Sequence, residues 1–160
     1  MRAIGLILLG CVVGCGSDAD ISGTYSVSLT NRDNGCNLSN FTPGDTSANI
    51  SVVITQNDTA ATVRVEGLAA IALNALLGAD KNTFTGSVDG DEFNASSIGT
   101  LPRTTGNCTY TYNAEITGTI DGDVITGRIN YRAADNGNPD CSQVAGCVSY
   151  QDYNGTRPPQ

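Results

Sequence analysis

Cys108-Thr-Tyr-Thr-Tyr-Asn-Ala-Glu-Ile-Thr-Gly-Thr-Ile120 runs into Asp121-Gly122 and resumes as Val124-Ile-Thr-Gly-Arg-Ile-Asn-Tyr131. Along the first limb Cys108, Tyr110, Tyr112, Ala114, Ile116, Gly118 and Ile120 share one parity, with polar residues between most of them. Along the second, Ile125, Gly127, Ile129 and Tyr131 do the same. Period 2 sustained over this length specifies two half-buried strands, because successive side chains on a strand point to opposite faces. Asp-Gly between them is a hairpin signal, since such turns need a residue at positive φ.

The same pattern extends outward in both directions. Ile21, Gly23, Tyr25, Val27 and Leu29 alternate with Ser and Thr, and Ala48, Ile50, Val52 and Ile54 form a second strand. Ala61, Val63 and Val65 form a third. Phe84, Gly86 and Val88 are joined through Asp89-Gly90 to Phe93 and Ala95, and Val148 and Tyr150 begin the last strand. Eight antiparallel strands in succession predict an all-β, eight-stranded up-and-down barrel, which removes exposed edges by closing on itself; a β-sandwich is the alternative. Glycines 23, 86, 118 and 127 on the inward parity fit a tightly coiled barrel. Phe84–Asp91 repeats weakly in Ile116–Asp123, strand and turn together. Leu68–Leu77, bounded by Gly67 and Gly78, is rich in helix formers and apolar almost all round. It predicts one short helix over an end of the barrel.

Composition narrows the chemistry. The 160 residues carry 8 basic and 16 acidic side chains, with no His and no Trp. A net charge of −8 argues against a nucleic-acid partner. Without His, the usual general base and zinc ligand are missing. Ser and Thr are plentiful, but no partner to activate them is evident. The acids sit in turns and aromatics are few, against a glycosidase cleft. No enzyme activity, cofactor or metal site is expected.

Met1-Arg2, an apolar run Ala3–Val13, and Gly14-Cys15-Gly16-Ser17-Asp18 read as an export signal. The apolar run is too short to span a bilayer of roughly 30 Å. Leu8-Leu9-Gly10-Cys11 and Val12-Val13-Gly14-Cys15 each resemble the bacterial lipoprotein lipobox. The resemblance implies cleavage just before a cysteine that carries diacylglycerol and an acylated amine. Cys15 leaves the longer apolar run and a polar tether after it, so residues 1–14 are expected to be signal, 15–20 tether, 21–157 barrel and 158–160 tail. Gly16, where inner-membrane retention favours Asp, implies the outer membrane.

The short turns (residues 56–59, 89–90 and 121–122) and the long loops (31–46, 67–81, 99–107 and 133–146) fall at opposite ends of such a barrel. With Gly23-Thr24-Tyr25 opening the first strand, this arrangement resembles the lipocalins and the wider calycin group, although Tyr25 stands where that family has Trp. The resemblance implies binding of small apolar ligands at the long-loop end. Cys36, Cys108, Cys141 and Cys147 all lie there. Four cysteines allow three pairings; a local Cys141–Cys147 bridge and a Cys36–Cys108 strap across the mouth are expected.

Charge also sorts by end. Asp18, Asp20, Asp58, Asp89, Asp91, Glu92, Asp121 and Asp123 map to the closed end, with Arg157 nearby. Arg32, Arg64, Lys81, Arg103 and Arg132 map to the open end, against Asp33, Asp45, Glu66, Asp80, Asp135 and Asp140. The tether joins the closed end, so the mouth should face away from the membrane. The first functional reading is a lipid-anchored envelope lipoprotein, structural or partner-binding. The alternative is a carrier of a small apolar or amphipathic ligand, with Arg32, Arg103 or Arg132 meeting an anionic head and Tyr112 and Tyr131 lining the interior. The barrel interior decides between them. If Tyr25, Phe84, Phe93, Tyr112 and Tyr131 fill it, the structural reading holds; a cavity favours the carrier.

Overall fold

The structure, a computed structural model, describes residues 19–159. The signal, both lipobox cysteines Cys11 and Cys15, and the first residues of the tether lie outside the described residues. Nine strands follow in order: β1 Gly23–Asn34, β2 Thr46–Asn57, β3 Ala60–Val65, β4 Thr83–Asp89, β5 Glu92–Ser97, β6 Arg103–Thr105, β7 Cys108–Asp121, β8 Val124–Asp135 and β9 Val148–Thr156. Helix α1, Gly67–Leu77, lies between β3 and β4. All pairings are antiparallel. The order β5-β4-β3-β2-β1-β9-β8-β7 closes through β5 onto β7, giving an eight-stranded barrel.

The expected barrel is therefore present, with local differences. The segment 99–107, expected as a loop, contains the extra strand β6, which pairs only with the mouth end of β7. Its turn is Gly106-Asn107, with Gly106 at φ +59°. The two Asp-Gly hairpins also turn one residue later than expected. Asp89 pairs with Glu92 and Asp121 with Val124, which leaves Gly90-Asp91 and Gly122-Asp123 as the loops.

Inward parity holds on the other long strands but not on β9, where Ser149 and Tyr153 are buried and Tyr150, expected on the inward parity with Val148, lies outside against Arg128, whose guanidinium carbon is 4.0 Å from its ring. Ile21, Tyr25, Val88 and Ile120 are buried beside the short turns and form the floor of the barrel. Above them Gly118 and Gly127 face each other across β7 and β8. A Cβ on Gly118 would stand 1.9 Å from the Tyr153 hydroxyl, and one on Gly127 would stand 2.0 Å from the Thr117 carbonyl oxygen and 2.6 Å from the same hydroxyl. That hydroxyl donates to the Thr117 carbonyl at 3.3 Å.

The chain enters at the closed end, where the Ala19 amide donates to the Gly90 carbonyl at 2.8 Å and the Ile21 amide to Gln56 Oε1 at 2.9 Å. Asp20, Asp58, Asp89, Asp91, Glu92, Asp121 and Asp123 gather at this end, as the charge pattern predicts.

A candidate ligand cavity at the long-loop end

The barrel is not filled. A cavity of about 780 Å³ runs from Phe93, Ile116, Ile125 and Tyr153 deep in the interior to a mouth between the β1–β2 loop and α1. Of the five aromatics expected to occupy the interior, Phe84, Phe93 and Tyr131 line this space. Tyr25 and Tyr112 do not. Ala69 and Ala72 of α1 are among the residues at its mouth.

The rim is held by covalent and polar ties. Cys36 pairs with Cys147 and Cys108 with Cys141. This corrects the expected Cys36–Cys108 and Cys141–Cys147 pairing. The physical reason lies in the strand neighbours. β1 and β9 are adjacent, so the loop after β1 meets the end of the loop before β9, whereas the 3-10 turn Pro139–Gln143 lies against the start of β7. Asp140 in that turn accepts from both the amide and the side-chain nitrogen of Asn107 at 2.9 Å. Asn34 fixes the first loop: its Nδ2 donates to the Leu38 and Phe41 carbonyls, both at 2.9 Å, and its Oδ1 accepts from the Leu38 amide at 2.8 Å. Leu38 is thereby buried, and Phe41 meets Tyr131 edge-on with ring centroids 6.3 Å apart.

Helix α1 covers part of the mouth. It contains no charged residue, and Glu66 before it makes no side-chain cap. Leu73 and Leu77 are buried, while Leu68 is 85% and Ile71 64% exposed. Leu68 and Ala72 belong both to the outer surface and to the cavity wall.

Several polar groups of the wall are bound to one another. The Tyr131 hydroxyl donates to Gln151 Oε1 at 2.8 Å, and Gln151 Nε2 donates to Asn31 Oδ1 at 2.6 Å. Asn31 Nδ2 passes the chain to the Thr42 carbonyl at 3.1 Å. Burial pushes the Tyr131 phenol well above its ordinary range, so it is a donor at physiological pH. Glu66 is already engaged, by Ser51 Oγ and by Arg64 Nη2, each at 2.9 Å.

The five residues expected to bind ligand separate clearly. Tyr131 and Arg103 line the cavity. Tyr112 sits behind Arg103, its ring 5.3 Å from the guanidinium carbon and its hydroxyl donating to the Cys36 carbonyl at 3.4 Å. Arg32 and Arg132 do not reach the interior. They follow inward Asn31 and Tyr131 on their strands, so alternation turns them outside, where Arg32 pairs with Asp152 at 2.7 Å and Arg132 with Glu115 at 3.4 Å. Asn31 and Gln151 were not expected at the site, although their parity with Leu29 and Tyr153 marks them as inward.

No family model and no curated protein matches the chain. Among solved structures, the chain is similar to one described as "Structure of EF1p2_mFAP2b bound to DFHBI", with 13% identity and a TM-score of 0.49, covering 86% of this chain and 93% of that one. The site is therefore read from its own geometry. The two disulfides among the described residues suit an oxidising compartment. Among the described residues, no helix is long and apolar enough to cross a membrane.

Proposed function

We propose that this protein is an exported, lipid-anchored barrel that carries one small, largely apolar molecule in its interior. The observation that supports this reading is the cavity of about 780 Å³, within the roughly 300–1,000 Å³ range of small-molecule sites. Larger apolar side chains in the upper wall would bury more surface and stabilise the barrel. Leaving this space open forgoes that stability, which a binding role explains and a purely structural role does not. The braced rim fits the same reading, since a preorganised mouth loses less entropy on binding. A carrier needs no nucleophile or general base, and none is proposed.

Cys15 is the proposed lipid attachment site, by its resemblance to the lipobox, and the outer membrane the proposed location. The tether joins the acidic closed end, so the mouth opens away from the anchoring membrane, toward donors and acceptors of the ligand.

Titration with N-phenyl-1-naphthylamine, a neutral apolar fluorophore, tests the carrier reading. Saturable one-to-one binding is expected, abolished by Val63→Trp, which fills the cavity from the β3 wall. Fluorescence that rises linearly without saturation overturns the reading. Cys15→Ser should release the protein from the membrane fraction and Cys11→Ser should leave it there; the reverse pattern moves the anchor to Cys11.

A further inference from the structure

Six arginines lie among the described residues, and five have carboxylate partners. Arg32 and Arg128 share Asp152, Arg64 holds Glu66, Arg132 holds Glu115 and Arg157 holds Asp123. Arg103 has none. It is also the cation in the cavity wall, and the acid of that wall, Glu66, is taken by Arg64 and Ser51.

The donors of Arg103 are poorly used. Its Nε is buried without a hydrogen-bond partner. Its Nη2 reaches the carbonyls of Ala75 and Leu76, at the end of α1, only at 3.4 and 3.3 Å. These are long contacts to neutral acceptors, beyond the usual N–H···O range. A buried donor left unmade is costly. Strand β6 and the Tyr112 ring beneath hold the group in place despite this.

Resting on the carrier reading, we propose that Arg103 is the receptor for the carboxylate of an amphipathic ligand. Nε–H and Nη2–H lie along one edge of the guanidinium and present two parallel donors, the geometry a planar carboxylate accepts in bidentate fashion. A carboxylate reaches this edge by displacing the two long carbonyl contacts at the end of α1, which opens the buried Nε to it and replaces them with shorter, charge-assisted bonds. The apolar body of the ligand then extends down the cavity toward Ile116 and Phe93. The Tyr131–Gln151–Asn31 chain is internally satisfied, so it frames the cavity and leaves Arg103 as the group that selects the head. Ligands of this class are long-chain or polycyclic monocarboxylic acids.

The test compares 11-(dansylamino)undecanoic acid with its primary amide, a probe of nearly the same shape without the charge. The unmodified protein should bind the acid about tenfold more tightly than the amide, the scale of one charge-assisted bidentate contact. Arg103→Gln should remove that preference, weakening the acid far more than the amide, and Arg103→Lys should restore part of it. The comparison on the unmodified protein needs no variant, so a fold defect in Arg103→Gln does not obscure it. Equal binding of acid and amide overturns the assignment and leaves the carrier reading standing. An acid preference that persists in a folded Arg103→Gln places the head elsewhere and also overturns it. Failure of both probes to bind overturns the carrier reading together with this one.

Discussion

Arg157 lies over the ring of Tyr25, its guanidinium carbon 5.6 Å from the centroid, and the pair seals the closed end of the barrel. The arginine side chain is only 8% exposed. Its Nε pairs with Asp123 at 2.9 Å, Nη2 donates to the Asp20 carbonyl at 2.9 Å, and Nη1 donates to the Ser22 carbonyl. One side chain from the end of the chain thus ties the incoming segment, the β7–β8 turn and the floor of the barrel together. Arg157→Ala should cost about 2–4 kcal/mol in chemical denaturation, because a carboxylate and two carbonyls lose a charged donor. The Tyr25 hydroxyl, by contrast, is buried without a partner. Tyr25→Phe should therefore be neutral or slightly stabilising; a loss above about 1 kcal/mol would reveal a hydrogen bond that the geometry does not contain.

The disulfide frame makes a chemical prediction. Non-reducing peptide mapping should recover Cys36 linked to Cys147 and Cys108 linked to Cys141, with no Cys141–Cys147 peptide. In the chain-entropy picture the separations of 111 and 33 residues are worth about 5 and about 4 kcal/mol when each bridge is considered alone. Removing Cys36–Cys147 should accordingly lower the denaturation midpoint more than removing Cys108–Cys141.

The paired glycines separate two kinds of crowding. A Cβ on Gly118 meets the Tyr153 hydroxyl first, at 1.9 Å, whereas one on Gly127 meets the Thr117 carbonyl oxygen first, at 2.0 Å. Both alanine variants should destabilise by roughly 1–3 kcal/mol or more. Tyr153→Phe should rescue part of Gly118→Ala and little of Gly127→Ala, since backbone cannot withdraw as a hydroxyl can. Equal rescue of both in denaturant titrations contradicts this packing.

Burial holds the phenols of Tyr131 and Tyr153 protonated well above their ordinary value of 10.0. A raised folded-state value means that stability is intact below about pH 10 and falls as pH rises above it, because the unfolded chain then releases these protons and the folded one does not. Phenolate absorbance should show both residues silent until the alkaline unfolding transition, with Tyr131→Phe removing amplitude from that late phase only. Loss of amplitude from the early, native-state titration would mean that Tyr131 is solvated.

Much of this was legible in local pattern. The alternation through Cys108–Ile120 and Ile125–Tyr131 requires only neighbouring residues, so strand positions follow from it, and the helix-forming run Leu68–Leu77 likewise marks α1 locally. The same parity already placed Arg132 outside once Tyr131 was inside, and Arg32 outside once Leu29 was inside; grouping the arginines by loop rather than by face obscured it. Gly106-Asn107 carried the turn signal for β6. Cysteine pairing was not legible, because it depends on which long loops meet across the mouth. The cavity was not legible either, since a void is set by volumes summed over eight strands and by the paths of Leu38 and Phe41.

The central claim is that ligand occupies the interior of the barrel, and methyl-resolved NMR with a saturating apolar acid tests it most directly. Shifts should concentrate on Val27, Val63 and Ile116 of the inner wall, with intermolecular contacts from those methyls to the ligand chain. Shifts confined to Leu68 and Ile71 on the outer face of α1, with the inner methyls unmoved, would show surface adsorption and contradict the account.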